Sequence, residues 1–149
     1  MATEIINTKN LAEARKLIDR AFNEKKQIIV QAQNPDFNRK ILENKKVSIL
    51  LSPELTEKDK LKERGSGINE ILAKISAKNN ISIGIDINDI LKTQGKQRAI
   101  LLAKIMQNIK LCKRKKTKLV VLGNYDKKNV FSWLLTLKAS TQQAGKAIN

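Results

Sequence analysis

The densest chemistry in this sequence is cationic. Lys113-Arg114-Lys115-Lys116-Thr117-Lys118 sets five basic side chains into six positions, Lys110 lies one helical turn upstream, and Lys127-Lys128 follow shortly after. A cluster of this kind pairs with phosphates and releases their counterions, giving binding that falls steeply with salt. Basic residues in a last helical turn also complement the helix dipole, by about 0.3–1 kcal/mol each; that accounts for one or two of them. The carboxylates Asp86 and Asp89 form the other candidate, a pair able to hold Mg²⁺ or to serve as acid and base. Asp89 could equally cap the turn Asp89-Ile90-Leu91, and no third carboxylate has recognisable spacing to the pair.

Several chemistries are absent. The chain has no His and one Cys, Cys112, which removes His-assisted triads and leaves no set of zinc ligands. A lone cysteine makes no internal disulfide and suits a reducing compartment, so a cytoplasmic location is expected. Gly65-Ser66-Gly67 lacks the Lys-Ser/Thr of a phosphate loop. The aromatics are Phe22, Phe37, Tyr125, Phe131 and Trp133, too few to line a single-strand stacking groove. Tyr125, between Asn124 and Asp126, is the one candidate stacking ring, and Trp133 is assigned to the core. The predicted catalytic and metal-ligating sets are therefore empty. Contacts should go to phosphate and to folded RNA shape.

The charge is uneven along the chain. Of the 149 residues, 30 are Lys or Arg and 14 are Asp or Glu, a net +16. Residues 92–149 hold 14 of the basic residues and the single acid Asp126. A one-sign field repels itself and favours a polyanionic partner, of which nucleic acid is the commonest. No apolar run approaches the roughly 20 residues of a membrane span, and Met1-Ala2-Thr3-Glu4 is unlike a signal peptide. No membrane partner is expected.

Helical and strand periods alternate along the chain. Leu11, Ala14, Leu17, Ile18, Ala21 and Phe22 recur at helical spacing after a cap at Thr8 or Asn10. Ile28–Val30 reads as a buried strand, and Asn34-Pro35 opens a helix bearing Phe37, Ile41 and Leu42. Val47–Leu51 is a second strand. The polar stretch 52–67 is expected to be a loop or mobile segment. Ile68, Ile71, Leu72 and Ile75 mark another helix, and Ile81–Asp86 a third strand whose Gly84 implies close packing. The longest helix should run from about Gln97 to Lys115, followed by a strand at Leu119–Leu122, a helix over Val130–Leu137 and a last turn from Ala144 to Ile148. Short continuous strands alternating with helices predict right-handed βαβ units in one α/β domain over residues 1–149.

In the long helix, Arg98, Leu101, Leu102, Ile105, Ile109 and Cys112 share one broad face, assigned to the sheet. Ile100, Ala103 and Leu111 lie opposite. A helix apolar nearly all round is covered on both sides, here by another part of the chain or by a protein partner at Ile100, Ala103 and Leu111.

From Ser66-Gly67-Ile68-Asn69-Glu70-Ile71-Leu72-Ala73-Lys74-Ile75 through Asn79–Asp86 and on through Gln97–Lys113, the sequence resembles ribonuclease P protein component 3, the archaeal and eukaryotic thirty-kilodalton subunit family. The resemblance covers roughly 55–60 residues in order. It implies a TIM-barrel-like fold and a place in the ribonucleoprotein that removes the 5′ leader from precursor tRNA. Catalysis there belongs to the RNA with Mg²⁺, and the protein binds no cofactor. Ribonuclease P RNA, precursor tRNA, ribonuclease P protein component 2 and other protein subunits are the implied partners. Arg98, Asn108 and Lys113 match family positions, and Arg114, Lys115, Lys116 and Lys118 sit where the family is also basic. The Asp-Leu-His-type motif of the family's opening strand is missing, and Gly123-Asn124-Tyr125 replaces its Ser-Gly-Ala. A complete barrel takes about 250 residues, so a shortened member with a reduced or open barrel is expected. The expected RNA-binding residues are Arg98, Lys110, Lys113, Arg114, Lys115, Lys116, Lys118, Lys127 and Lys128. Two other functions are compatible with the residues: a general RNA-binding module, and a metal-dependent barrel hydrolase using Asp86 and Asp89.

Overall fold

The computed structural model describes residues 1–148. Five strands alternate with helices: β1 (Thr3–Ile6), α1 (Leu11–Asn23), β2 (Gln27–Gln31), α2 (Pro35–Leu42), β3 (Ile49–Leu51), α3 (Glu70–Lys78), β4 (Ser82–Asp86), α4 (Ile87–Leu91), α5 (Gly95–Lys115), β5 (Leu119–Leu122), α6 (Lys127–Thr136) and α7 (Thr141–Ala147). A short 3₁₀ turn at Pro53–Leu55 follows β3.

All strands are parallel and lie in chain order, β1-β2-β3-β4-β5. Each crossover therefore advances by one strand in the same sense, which is the winding of a TIM barrel. The sheet stays open, because among the described residues β1 and β5 each pair on one side only. The expected TIM-barrel-like α/β architecture, with an open sheet, is what these residues adopt.

Alternation along the strands divides the apolar residues between two faces. Ile6, Ile28, Val30, Leu50, Ile83, Ile85, Leu119 and Val121 join Ile18, Ile41, Leu72, Ile105 and Leu134 of the helices in one continuous core. Ile29, Ile49 and Leu51 form a smaller cluster on the other face, with Val120 and Leu122 packed against it and no helix residue in it. Gly84 lies beside that cluster; a Cβ there would meet Ile49 Cγ2 at 2.8 Å, so the close packing read from the sequence is present.

Local signals explain most element ends. Asn10, Asn34, Asn69, Asp126 and Ser140 each accept a backbone N–H in the first turn of the helix they precede, and such caps contribute about 1 kcal/mol apiece. Asn10 is thus the cap of α1, and Asn34 with Pro35 opens α2 as expected. Several elements differ from the sequence reading, β3 starting at Ile49 and α3 at Glu70 among them. Thr3–Ile6 is a strand even without the family motif, α5 starts at Gly95, α6 at Lys127 and α7 at Thr141. In α4 the cap is Asp86, whose Oδ1 accepts from Asn88 N at 2.9 Å, and Asp89 lies inside the helix.

Residues 52–69 run from β3 to α3 across the outer side of α5. Lys104 Nζ donates to the Glu57 carbonyl (2.7 Å), Gln107 Nε2 to Ser66 Oγ (3.1 Å) and Asn108 Nδ2 to the Ser66 carbonyl (3.0 Å). Gly67 sits at φ +87°, where a Cβ would strike the Pro53 carbonyl. This segment of the same chain is thereby fastened along α5 at Lys104, Gln107 and Asn108.

Candidate nucleic-acid interface

The basic end of α5 is held by three contacts. Lys116 closes the helix in the left-handed region (φ +60°), and Thr117 N then bonds the Cys112 carbonyl at 2.9 Å. The Thr117 hydroxyl donates to the Ala73 carbonyl of α3 at 2.7 Å, which fixes the turn before Lys118 enters β5. On the other flank α7 packs against α5, with Gln143 Nε2 donating to the Ile109 carbonyl at 3.1 Å. A reciprocal cap, in which the Ser140 and Gln143 side chains each accept the other's backbone N–H, holds the start of α7.

Between these elements lies a groove of about 370 Å³. Lys113, Lys116, Lys118 and Lys146 line it beside Ser140 and Gln143, and no acid does. Lys113 also donates to the Lys138 carbonyl (3.3 Å). Lys110 and Lys113 border a second hollow with Met106, Leu137 and Lys138. Arg114 is spent on an ion pair with Glu70, both half-exposed, and Lys115 is half-buried. Lys138 and Lys146 were not anticipated, because the packing of α6 and α7 against α5 is a tertiary fact with no local signature.

The remaining basic positions lie elsewhere. Lys127 and Lys128 open α6 beyond the carboxyl end of β5, whereas Lys113–Lys118 precede its amino end; four strand residues, roughly 13 Å, separate the two sets. Arg98 sits near the start of α5. Its guanidinium donates to the Leu91 carbonyl (3.4 Å), and its Nε is buried without a partner. The structure therefore brings Lys110, Lys113, Lys116 and Lys118 together and holds Arg98, Lys127 and Lys128 apart from them. Ile100, Ala103 and Leu111 are half-buried, and Leu111 packs on the main core. Asn108 is buried and serves the tether to Ser66.

The acids sit at the carboxyl end of the sheet. Asp86 caps α4, and Asp89 accepts from the Ser52 hydroxyl at 3.2 Å. Burial raises the Asp89 pKa, and the Asp86 charge adds to the rise. Glu54 is buried beside them and unforeseen, since one Glu in a polar stretch carries no signal. Its carboxyl is pushed up to about 8, first by burial, with Asp89 and Asp86 adding to the effect. Among the described residues no three His, Cys, Asp or Glu side chains are placed to hold a metal ion. Tyr125 is half-buried with its hydroxyl on the Val121 carbonyl (3.0 Å), and Trp133 packs on the core as expected. Burial lifts the Cys112 thiol to about 12, far from a nucleophilic thiolate. Among the described residues no helix is long and apolar enough to cross a membrane.

Known proteins share both the sequence and the fold. Ribonuclease P protein component 3 of Methanococcus maripaludis is 30% identical over 116 residues, covering 78% of this chain and 47% of that protein. Its counterpart in Methanosarcina acetivorans is 32% identical over 115 residues, 77% of this chain and 45% of that one. A chain in a cryo-EM structure of archaeal ribonuclease P with mature tRNA superposes at a TM-score of 0.81 and 26% identity, over 96% of this chain and 62% of its own length. The chain thus shares sequence and fold with part of ribonuclease P protein component 3. It spans about half the length of the curated relatives it matches. No protein-family model matches it. The five strand–helix units here make up an open parallel sheet, and the lysine groove lies at its amino-terminal end.

Proposed function

We propose that this chain is an RNA-binding subunit of ribonuclease P that supports RNA-catalysed removal of the 5′ leader from precursor tRNA. One observation carries the reading beyond kinship: a groove with four lysines and no acid, set on a helix end fixed from two sides. With the backbone that carries these lysines already fixed, ordering on a phosphate is confined to their side chains, and each contact releases counterions. Neutralised phosphates let folded RNA pack more closely, which lowers the Mg²⁺ it needs. That Mg²⁺ is assigned to the RNA, since Asp86 and Asp89 are committed to a helix cap and to Ser52. Ribonuclease P RNA, precursor tRNA, component 2 and other protein subunits are the partners in this reading, and a reducing cytoplasm is its setting.

The test is to tag the chain in its native cells, purify it gently and sequence the RNA retained. Strong enrichment of ribonuclease P RNA supports the subunit role. A broad mixture of RNAs overturns it in favour of a general RNA-binding module.

A further inference from the structure

Every crossover in this fold ends at the same place, the amino-terminal end of the sheet, and lysines recur where it does. Lys25 follows α1, Lys45 follows α2, Lys78 ends α3, and Lys116 and Lys118 follow α5. All five are exposed. None has an ion-pair partner among the described residues. The acids on these turns are already used: Glu24 holds Lys26 at 2.7 Å and Glu43 holds Arg39 at 3.1 Å. Lys46 is likewise occupied, bound to Asp19 at 2.8 Å and lying over the Phe22 ring. Helix-dipole stabilisation explains Lys78 in the last turn of α3. It does not explain Lys25 or Lys45, which lie past their helix ends.

The turns are fastened to one another. Lys46 ties the α2–β3 turn to α1, Asn79 Nδ2 donates to the Leu42 carbonyl (2.8 Å) between the next two turns, and Thr117 joins the α5–β5 turn to α3. Between α1 and α2 the rim opens into a shallow basin that Arg15, Lys40, Lys45 and Lys46 line together with Glu43 and Asn44. At the sheet the starts of β2 to β5 span roughly 15 Å, and the helix layer spreads them wider. Each strand of a DNA duplex carries one charge per roughly 3.4 Å of axis, and on that scale the rim is long enough for several phosphates of a nucleic-acid backbone.

We infer that a bound RNA backbone runs from the lysine groove along this rim, over Lys78 and Lys45 to Lys25. The inference rests on the RNA-binding reading above and names the surface used. A tag-free full chain is titrated with an in-vitro transcript of ribonuclease P RNA over a series of KCl concentrations. Three triple variants are compared with wild type after circular dichroism establishes that each is folded. They are the rim set K25Q/K45Q/K78Q, the groove set K113Q/K116Q/K118Q, and K9Q/K92Q/K96Q, which removes equal charge from the other end of the sheet. The rim set is expected to weaken binding about 30- to 100-fold at 0.15 M salt and to flatten the log–log salt slope by roughly 2 to 3. The control set should shift affinity less than about threefold. A rim set that matches the control while the groove set loses binding overturns the rim path and leaves the RNA-binding reading standing. If rim and groove sets both match the control, the two fail together.

Discussion

Replacing Glu54 by Gln should remove a pH dependence that the wild-type fold carries. Glu54 is 3% exposed and follows the 3₁₀ turn's Pro53. Its carboxyl titrates at about 8 in the fold, against an ordinary value of 4.5. Between those values the folded chain holds a proton that the unfolded chain has released. Stability is therefore fully present below pH 4.5, falls as pH rises, and levels off above pH 8. Linkage over that gap gives a loss of about 3 kcal/mol between pH 5 and pH 7.5. Water reaching the buried carboxylate lowers the cost, so about 1–3 kcal/mol is expected. Gln reproduces the shape of the protonated acid and cannot ionise, so E54Q should match wild type near pH 5 and exceed it near pH 8. Urea unfolding at half-unit pH steps measures this directly, and with a slope of roughly 1–3 kcal/mol per molar the midpoint separation should reach about 1 M. Parallel pH curves for the two proteins would refute the assignment of a protonated Glu54.

Three other substitutions or labels probe the supports of the groove. Asn108→Ala removes the buried bond that holds Ser66 to α5, and should cost about 1–3 kcal/mol in urea unfolding; an unchanged midpoint would mean that segment 52–69 does not lean on α5. Ile105→Ala, at 0% exposure in the main core, should cost about 2–5 kcal/mol, and a smaller loss would place α5 off the sheet. Cys112 should resist iodoacetamide at pH 8 until urea is added, since it is buried and its pKa is about 12. Labelling at the rate of a free thiol in the native chain would show that the α5–α7 seam opens.

The parts of this fold that a sequence reveals are those whose cause is local. Asn34-Pro35 specifies a helix start through one side-chain acceptor and one fixed φ, and the Ile81–Asp86 alternation specifies a buried strand. β1 escaped because it lies at the sheet edge: Ile5 is 62% exposed and of its four residues only Ile6 is buried, so no continuous apolar run announces it. The lysine cluster was legible as a charge run, yet its shape was not. Lys127 and Lys128 are near Lys118 in sequence and at the far end of β5 in space. Lys146 is distant in sequence and shares a groove with Lys113, because the Gln143–Ile109 contact folds α7 back onto α5.

The polarity of the molecule follows from the same topology. In a chain of parallel strands joined by helices, whatever residue type follows the helices collects at one end of the sheet, and whatever follows the strands collects at the other. Here the turns after the helices carry Lys25, Lys45, Lys78, Lys116 and Lys118, while Glu54, Asp86, Asp89 and Asp126 follow strands. Barrel enzymes place their chemistry at the carboxyl end of the strands. A phosphate backbone approaching that end of this protein would meet Asp86 and Asp89 interspersed with Lys9, Lys92, Lys96, Lys127 and Lys128. The same approach from the amino end meets Lys25, Lys45, Lys78, Lys116 and Lys118, where Glu24 and Glu43 are paired with Lys26 and Arg39. Charge placement along the chain thus gives the two ends different characters: exposed lysines without ion-pair partners among the described residues follow the helices, and the buried Glu54 sits beside Asp86 and Asp89 at the ends of the strands.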